Sequence, residues 1–145
     1  MTINQLSIFI ENQKGALAKI TGLLAEKSID IRAMSLAETQ NFGVLRLIVS
    51  DTEAAAEVLR EQNIVFHLTK VLAAAVPDKP GGLAQILKIL ADNNIDITYM
   101  YAFLAVSGSY ATVVLRISSA LRDTAAGILS AAGVRILGEE DIKKL

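Results

Sequence analysis

Sliding the chain by 66 positions lays it on itself, and this self-similarity limits the possible folds more than any other feature. The stretch Asp78-Lys79-Pro80-Gly81-Gly82-Leu83-Ala84 falls on Asn12-Gln13-Lys14-Gly15-Ala16-Leu17-Ala18. Between Gly15–Met34 and Gly81–Met100, 10 of 20 positions are identical, including Ile29-Asp30-Ile31 against Ile95-Asp96-Ile97. A period of this kind marks repetition of one supersecondary unit. The 145 residues therefore read as two units, 1–69 and 70–145.

Each copy has the same predicted order. In the first, Leu6, Ile8 and Ile10 alternate with polar residues as in a half-buried strand. The loop Asn12–Gly15 follows, then a helix with Leu17, Ile20, Leu23 and Leu24 on one face. Ile29–Thr39 and Phe42–Ser50 read as a hairpin turning at Gln40-Asn41. Asp51 or Thr52 is the expected N-cap of a helix carrying Ala55, Val58 and Leu59, and Ile64–His67 is a short last strand. In the second copy the strands are Val71–Val76, Ile95–Val106, Tyr110–Ile117 and Val134–Leu137. The helices are Gly82–Asn93 and Ser119–Ala132, with Gly133 as a stop and Ser107-Gly108-Ser109 as the hairpin turn. After the hairpin the offset is expected to become 70, giving copy two a hairpin four residues longer and setting Arg46 against Arg116. Leu68-Thr69-Lys70 is read as a three-residue linker too short for independent tumbling, and the polar tail Glu139–Leu145 as a fraying turn.

The order βαββαβ places two helices on one face of a four-stranded antiparallel sheet. The other face is expected to be bare, and here it is apolar: Ala73, Ala75, Tyr99, Tyr101, Phe103 and Val114 are candidates. Both parities of Tyr99–Val106 are apolar, so the pattern alone does not say which points out. Units this small bury only about 60% of their surface alone, and a large apolar face needs a cover. Hydrophobic residues make up 52% of the chain, in keeping with such a cover. Packing of the copies on each other and homo-oligomerisation through sheets are therefore expected.

Composition narrows the chemistry. There is no cysteine, so disulfides, thiol catalysis and thiolate metal sites are excluded. The net charge is −1 and no basic run exceeds Lys143-Lys144, which argues against a nucleic-acid partner. The longest apolar run, Tyr99–Val106, is far short of the roughly 20 residues of a membrane span. The first residues lack the pattern of a secretory signal.

With these motifs in their frame, the chain resembles ACT domains, small-molecule-binding regulatory modules. Asp78-Lys79-Pro80-Gly81-Gly82-Leu83 looks like the family's Asp-x-Pro-Gly-x-Leu signature in full. Copy one departs from it at Asn12 and Lys14 and keeps Gly15 and Leu17. The resemblance covers essentially the whole chain. It implies an α+β fold of two ferredoxin-like, ACT-like βαββαβ repeats. It also implies an amino-acid ligand held where one unit's loop meets the second strand of a neighbouring unit, without a cofactor.

The loop suits such a ligand physically. A helix N-terminus presents unpaired N–H groups and partial positive charge, which favour a carboxylate. Gly81 and Gly82 allow close approach, and Pro80 fixes the loop beforehand. Asp78 or Asn12 can accept from a ligand ammonium or cap the helix. The candidate contacts are Asn12, Gln13, Lys14, Gly15, Ala16 and Leu17 in the first loop. Asp78, Lys79, Pro80, Gly81, Gly82 and Leu83 are their counterparts in the second. Asp30 with Ile31, and Asp96 with Ile97, are added from the second strands, where the aspartates could instead simply close a turn. A valine at Gly81 is expected to block the site by bulk and leave the fold intact.

An enzyme would need a nucleophile, a metal cluster or paired acid–base groups. The lone His67 and scattered aspartates supply none, and no metal site is expected. An RNA-binding module needs stacking aromatics beside basic residues, for which the charge is wrong. The expected function is non-catalytic: a cytoplasmic, homodimeric amino-acid sensor regulating a metabolic enzyme. An assembly scaffold with the same fold and no ligand is the alternative.

Overall fold

The computed structural model describes residues 1–11, 13–39, 41–104 and 108–145. Asn12, Gln40 of the first hairpin turn, and Ala105, Val106 and Ser107 of the second hairpin lie outside them. The described elements are β1 (Ile3–Glu11), α1 (Ala16–Glu26), β2 (Ile31–Glu38), β3 (Phe42–Val49), α2 (Thr52–Glu61) and β4 (Phe66–Pro77). They continue with α3 (Gly82–Asp92), β5 (Tyr99–Leu104), β6 (Tyr110–Arg116), α4 (Ser119–Ala131), β7 (Ile136–Leu137) and α5 (Glu139–Lys143). Backbone contacts divide the chain into two units, Asn4–Thr69 and Lys70–Leu145 with Met1–Ile3.

The N-terminal unit orders its strands β2-β3-β1-β4, with β2–β3 and β3–β1 antiparallel. Cross-strand pairing puts Leu6 opposite Leu47 and Ile8 opposite Leu45, so these side chains share a face. That face meets α1 and α2 in a core with Ile20, Leu24, Ala55, Val58 and Leu59. Each helix turns one apolar stripe inward, as the 3.6-residue period requires. The C-terminal unit repeats this with β5-β6-β4 and β7 on β4, all antiparallel. Leu72, Val76, Val113, Leu115 and Ile117 pack there against Ile86, Leu90, Ala125 and Leu129. The fold is thus two βαββαβ repeats with both helices on one face.

The repeat extends to the backbone. Both first helices end at a left-handed residue, Ser28 (φ 56°) and Asn94 (φ 54°), and both second helices end at another, Asn63 (φ 53°) and Gly133 (φ 85°). Chain reversal at these four points needs a positive φ, which small or amide side chains tolerate.

Several expectations are corrected. Leu68-Thr69-Lys70 is not a linker: it belongs to the twelve-residue strand β4. β5 begins at Tyr99 rather than Ile95. The second hairpin is two residues longer, not four: Glu38 pairs with Gly43, and Leu104 with Ala111. In this register Val114, not Arg116, is the counterpart of Arg46, and the offset reaches 70 only because α4 has 13 residues to the 10 of α2. The tail does not fray. It forms α5, whose Ile142 is buried, and Arg135 holds Asp141 at 2.7 Å. The Asp141 carboxylate accepts from Gly138 N–H at 2.9 Å, and this bond is the main cause of its pKa lying below the usual 3.8. Arg135 adds to the lowering, and partial desolvation opposes it.

The helix-free face of the C-terminal unit is the one foreseen. Ala73 pairs with Val114 and Ala75 with Thr112, while Tyr101 and Phe103 face the same two β6 residues. It is not bare, however: Ala73, Thr112 and Val114 are buried, and the three aromatics only half-buried.

Candidate functional site

Both loops fold as the same turn. Gly82 N–H donates to Lys79 C=O at 3.0 Å, and Ala16 N–H to Gln13 C=O at 3.2 Å. The residue before each donor is a glycine with φ 86°, ψ −11° (Gly81) or φ 87°, ψ 0° (Gly15). These angles match the third residue of a type II turn, about +80° and 0°. Proline is favoured at the second position, where Pro80 stands; Lys14 takes that place in copy one. Lys79 N–H to Pro77 C=O (2.9 Å) and Gln13 N–H to Glu11 C=O (2.7 Å) tighten the two loops alike.

The three glycines have different reasons. At Gly15 and Gly81 a Cβ would meet nothing within 4 Å, but φ is in the left-handed region. A Val at Gly81 would therefore strain the backbone as well as add bulk. At Gly82 a Cβ would lie 2.2 Å from the Pro77 carbonyl oxygen. Its missing side chain serves the packing of α3 on β4, not the approach of a ligand.

Among the described residues, neither helix start is capped by a side chain. Asp78 is exposed, and its own N–H donates to Ser109 C=O at 3.1 Å. In each first turn one amide serves the type II turn and the fourth bonds the glycine carbonyl, Lys19 to Gly15 and Gln85 to Gly81. Among the described residues, the N–H groups of Leu17 and Ala18, and of Leu83 and Ala84, have no backbone acceptor. Such a pair is available to an anion. Leu17 is partly buried, whereas Leu83 is 37% exposed, so the apolar stripe of α3 begins at Ile86.

The aspartates of the second strands stand elsewhere. Asp30 just precedes β2, where its N–H donates to Ser50 Oγ at 2.9 Å and its carboxylate lies 3.1 Å from Arg32. Ile31 pairs with Val49, while Glu11, which leads into the loop, pairs with Phe42 at the other end of β3. Seven residues of strand, roughly 24 Å, separate them. Asp96 and Ile97 lie in the segment before β5, near Arg116, and the second loop follows Pro77, which pairs with Tyr110 at the far end of β6. Within one unit the structure does not bring loop and aspartate together. Met34 is 47% exposed on edge strand β2, and Met100 packs against the core. His67 meets Phe9 edge-on, with ring centroids 5.7 Å apart.

Each loop opens beside a cleft that sequence reasoning missed. In the C-terminal unit about 600 Å³ lies between Pro77 and Gly82, the turn after α4, and Lys144 and Leu145 beyond α5. Gln85, Ser109, Thr112 and Arg135 add polar groups. The N-terminal unit has a cleft of about 710 Å³ in the same place, lined by Phe9, Gln13, Lys14, Lys19 and Asn63 among others. Residues distant in sequence build these walls, so no local motif marks them. Among the described residues no cluster of three or more His, Asp or Glu could hold a metal, and no helix is long and apolar enough to cross a membrane.

Comparison with known proteins agrees with this geometry. A family profile described as an ACT domain pair matches residues 1–145. A crystal structure of a Bacteroides thetaiotaomicron protein is 36% identical, with a TM-score of 0.92 over 100% of this chain and 98% of that one. The ligand-free regulatory subunit of aspartate kinase from Thermus thermophilus shares the fold at 16% identity and a TM-score of 0.60, over 89% of this chain and 91% of that one. The acetolactate synthase small subunit of Buchnera aphidicola subsp. Baizongia pistaciae is 22% identical over 94 residues, 63% of this chain. The match spans only 58% of that subunit's length.

Proposed function

The chain belongs to the ACT domain pair family, and from that membership we propose that it is a non-catalytic regulatory protein that binds a free amino acid. The observation that carries this reading is the repeated loop: a type II turn leaves two helix-start amides unpaired beside an open cleft. The carboxylate is received at Leu17 and Ala18 or at Leu83 and Ala84, with Gln13, Lys14, Gly15 and Ala16 or Lys79, Pro80, Gly81 and Gly82 shaping the loop. Asn12 or Asp78 accepts from the ammonium. Asp30, Ile31, Asp96 and Ile97 reach such a ligand only from a neighbouring unit, given their place at the far end of their own sheets.

The named relatives are the small subunit of an acetolactate synthase and the regulatory subunit of an aspartate kinase. By analogy the partner here is a cytoplasmic metabolic enzyme, and the active form is a homodimer. Ligand must then bind two states unequally to pass a signal.

The test is a thermal-shift screen against the twenty amino acids at millimolar concentration. A ligand at 100 times its dissociation constant adds about 2.7 kcal/mol, a rise of several degrees for a chain of this size. One amino acid or a related few should raise the midpoint. A flat screen favours the scaffold reading, for which the half-exposed Tyr99, Tyr101 and Phe103 would form an assembly face.

A further inference from the structure

We infer that Arg116 and Arg122 of the C-terminal unit form a binding site for a phosphate-type oxyanion, distinct from the cleft beside the second loop. Arg116 closes β6, and Arg122 is the fourth residue of α4. Both donate through Nη1 to one acceptor, the Lys70 carbonyl, at 3.0 and 3.3 Å. Arg116 Nη1 also reaches the Ile117 carbonyl at 3.3 Å. Two guanidiniums, charged at any ordinary pH, thus converge on neutral oxygens. Neither is in an ion pair among the described residues, not even with Asp123 next to Arg122 in sequence. The Arg122 Nε–H is buried and finds no acceptor there. Like charges sharing one acceptor repel, and a buried donor on a cation is costly to leave unmade. An oxyanion between the two forks removes both costs, because guanidinium and oxyanion match in geometry as well as in charge. A phosphate group has about two negative charges and oxygens for both forks. Chloride offers a single point and a carboxylate matches a single fork.

The repeat shows that the fold does not need these charges. Gly43 pairs with Ile10 as Ala111 pairs with Val76, so Ile48 is the counterpart of Arg116. Ile48 is apolar and 2% exposed. Counted back from the helix ends, Arg122 answers to the uncharged Thr52 of α2. Copy one also places a carboxylate, Asp51, just before its second helix, where copy two has Ser118. Copy two has therefore lost an anion of its own and gained two cations.

The second loop lies elsewhere. It follows Pro77, which pairs with Tyr110 at the other end of β6. Six residues of strand, roughly 20 Å, separate that end from Arg116. An amino acid in the cleft and an anion at the arginines would not compete, and this inference does not depend on the amino-acid reading.

The experiment follows the arginine Nε–H resonances of the full chain as inorganic phosphate is added, with sodium chloride at matched ionic strength as control. Arg116 and Arg122 are assigned by their loss in Arg116→Gln and Arg122→Gln. The expected result is a saturable shift of the Arg122 Nε–H with phosphate and none with chloride, at one site per chain by calorimetry. Each single variant should weaken phosphate binding about tenfold. Lys88→Gln, which removes an exposed cation paired with Asp92, should leave it unchanged. Glycerol 3-phosphate separates the two sources of the anion: binding as tight as phosphate or tighter names a phosphomonoester, and weaker binding names the free ion, both upholding the site. No saturable shift in the parent chain, an equal shift with chloride, or phosphate binding that survives the double substitution overturns the inference. The arginines would then serve only to tie β4 to α4. Because the parent chain gives the deciding signal, a variant that fails to fold does not spare the proposal.

Discussion

Gly81 and Gly82 are neighbours in the motif, yet physics keeps them for opposite reasons. Gly81 and its counterpart Gly15 are held by dihedral angle, in open space; Gly82 is held by contact, against the Pro77 carbonyl. Substitution separates the two. Gly15→Ala should cost only the left-handed penalty, about 1 kcal/mol. Gly82→Ala must push α3 off β4 and should cost more, about 1–3 kcal/mol. Lys14→Pro should instead stabilise by about 0.4–1 kcal/mol, because the turn already has the shape that proline imposes at the same place in copy two. Denaturant unfolding of the three variants checks the order. The motif announced a turn with glycine at its corner. It could not announce that Gly82 faces a carbonyl, because that contact depends on how closely a helix approaches a strand.

The elements show where pattern suffices and where it fails. Helices and strands followed from apolar periodicity, and Asp51 or Thr52 was legible as an N-cap from its place before Ala55, Val58 and Leu59; the structure settles on Asp51. Its Oδ1 accepts from Ala54 N–H at 3.0 Å. Ser118 holds the same position before α4 but makes no side-chain cap. Asp51→Ala should therefore lower stability by about 1 kcal/mol, and Ser118→Ala should stay within about 0.5 kcal/mol of the parent; thermal melts of the pair would show it. The misreadings share one cause. Linker and tail were judged from local composition and hairpin length from the repeat offset, whereas pairing and packing decide them. Leu68-Thr69-Lys70 has no breaker, and Thr69 is tied to Ser7 at 2.9 Å. Arg116 and Arg122 both donate to the Lys70 carbonyl, at 3.0 and 3.3 Å. Ile142 gives α5 an apolar anchor that the charges around it obscure.

At the scale of the molecule, repetition gave the architecture away and left the clefts hidden. Two copies of one unit can be counted along a sequence, but a cleft walled by β4, β6, α3 and α5 exists only after folding. The half-exposed Tyr99, Tyr101 and Phe103, with Leu104 at 67% exposure, predict self-association. Light scattering at micromolar concentration should return twice the chain mass, and a monomer there would contradict the homodimer. The two turns also differ in what they offer a protease. Both carry an exposed lysine at the tip, Lys14 before Gly15 and Lys79 before Pro80. Trypsin cuts after lysine but not when proline follows, since the ring replaces the amide hydrogen and fixes the chain. Exposed tips are where nicking concentrates. The same proline that sets the shape of the second loop thus shields it from digestion, and the first loop, shaped alike but built with lysine, is left as the vulnerable one.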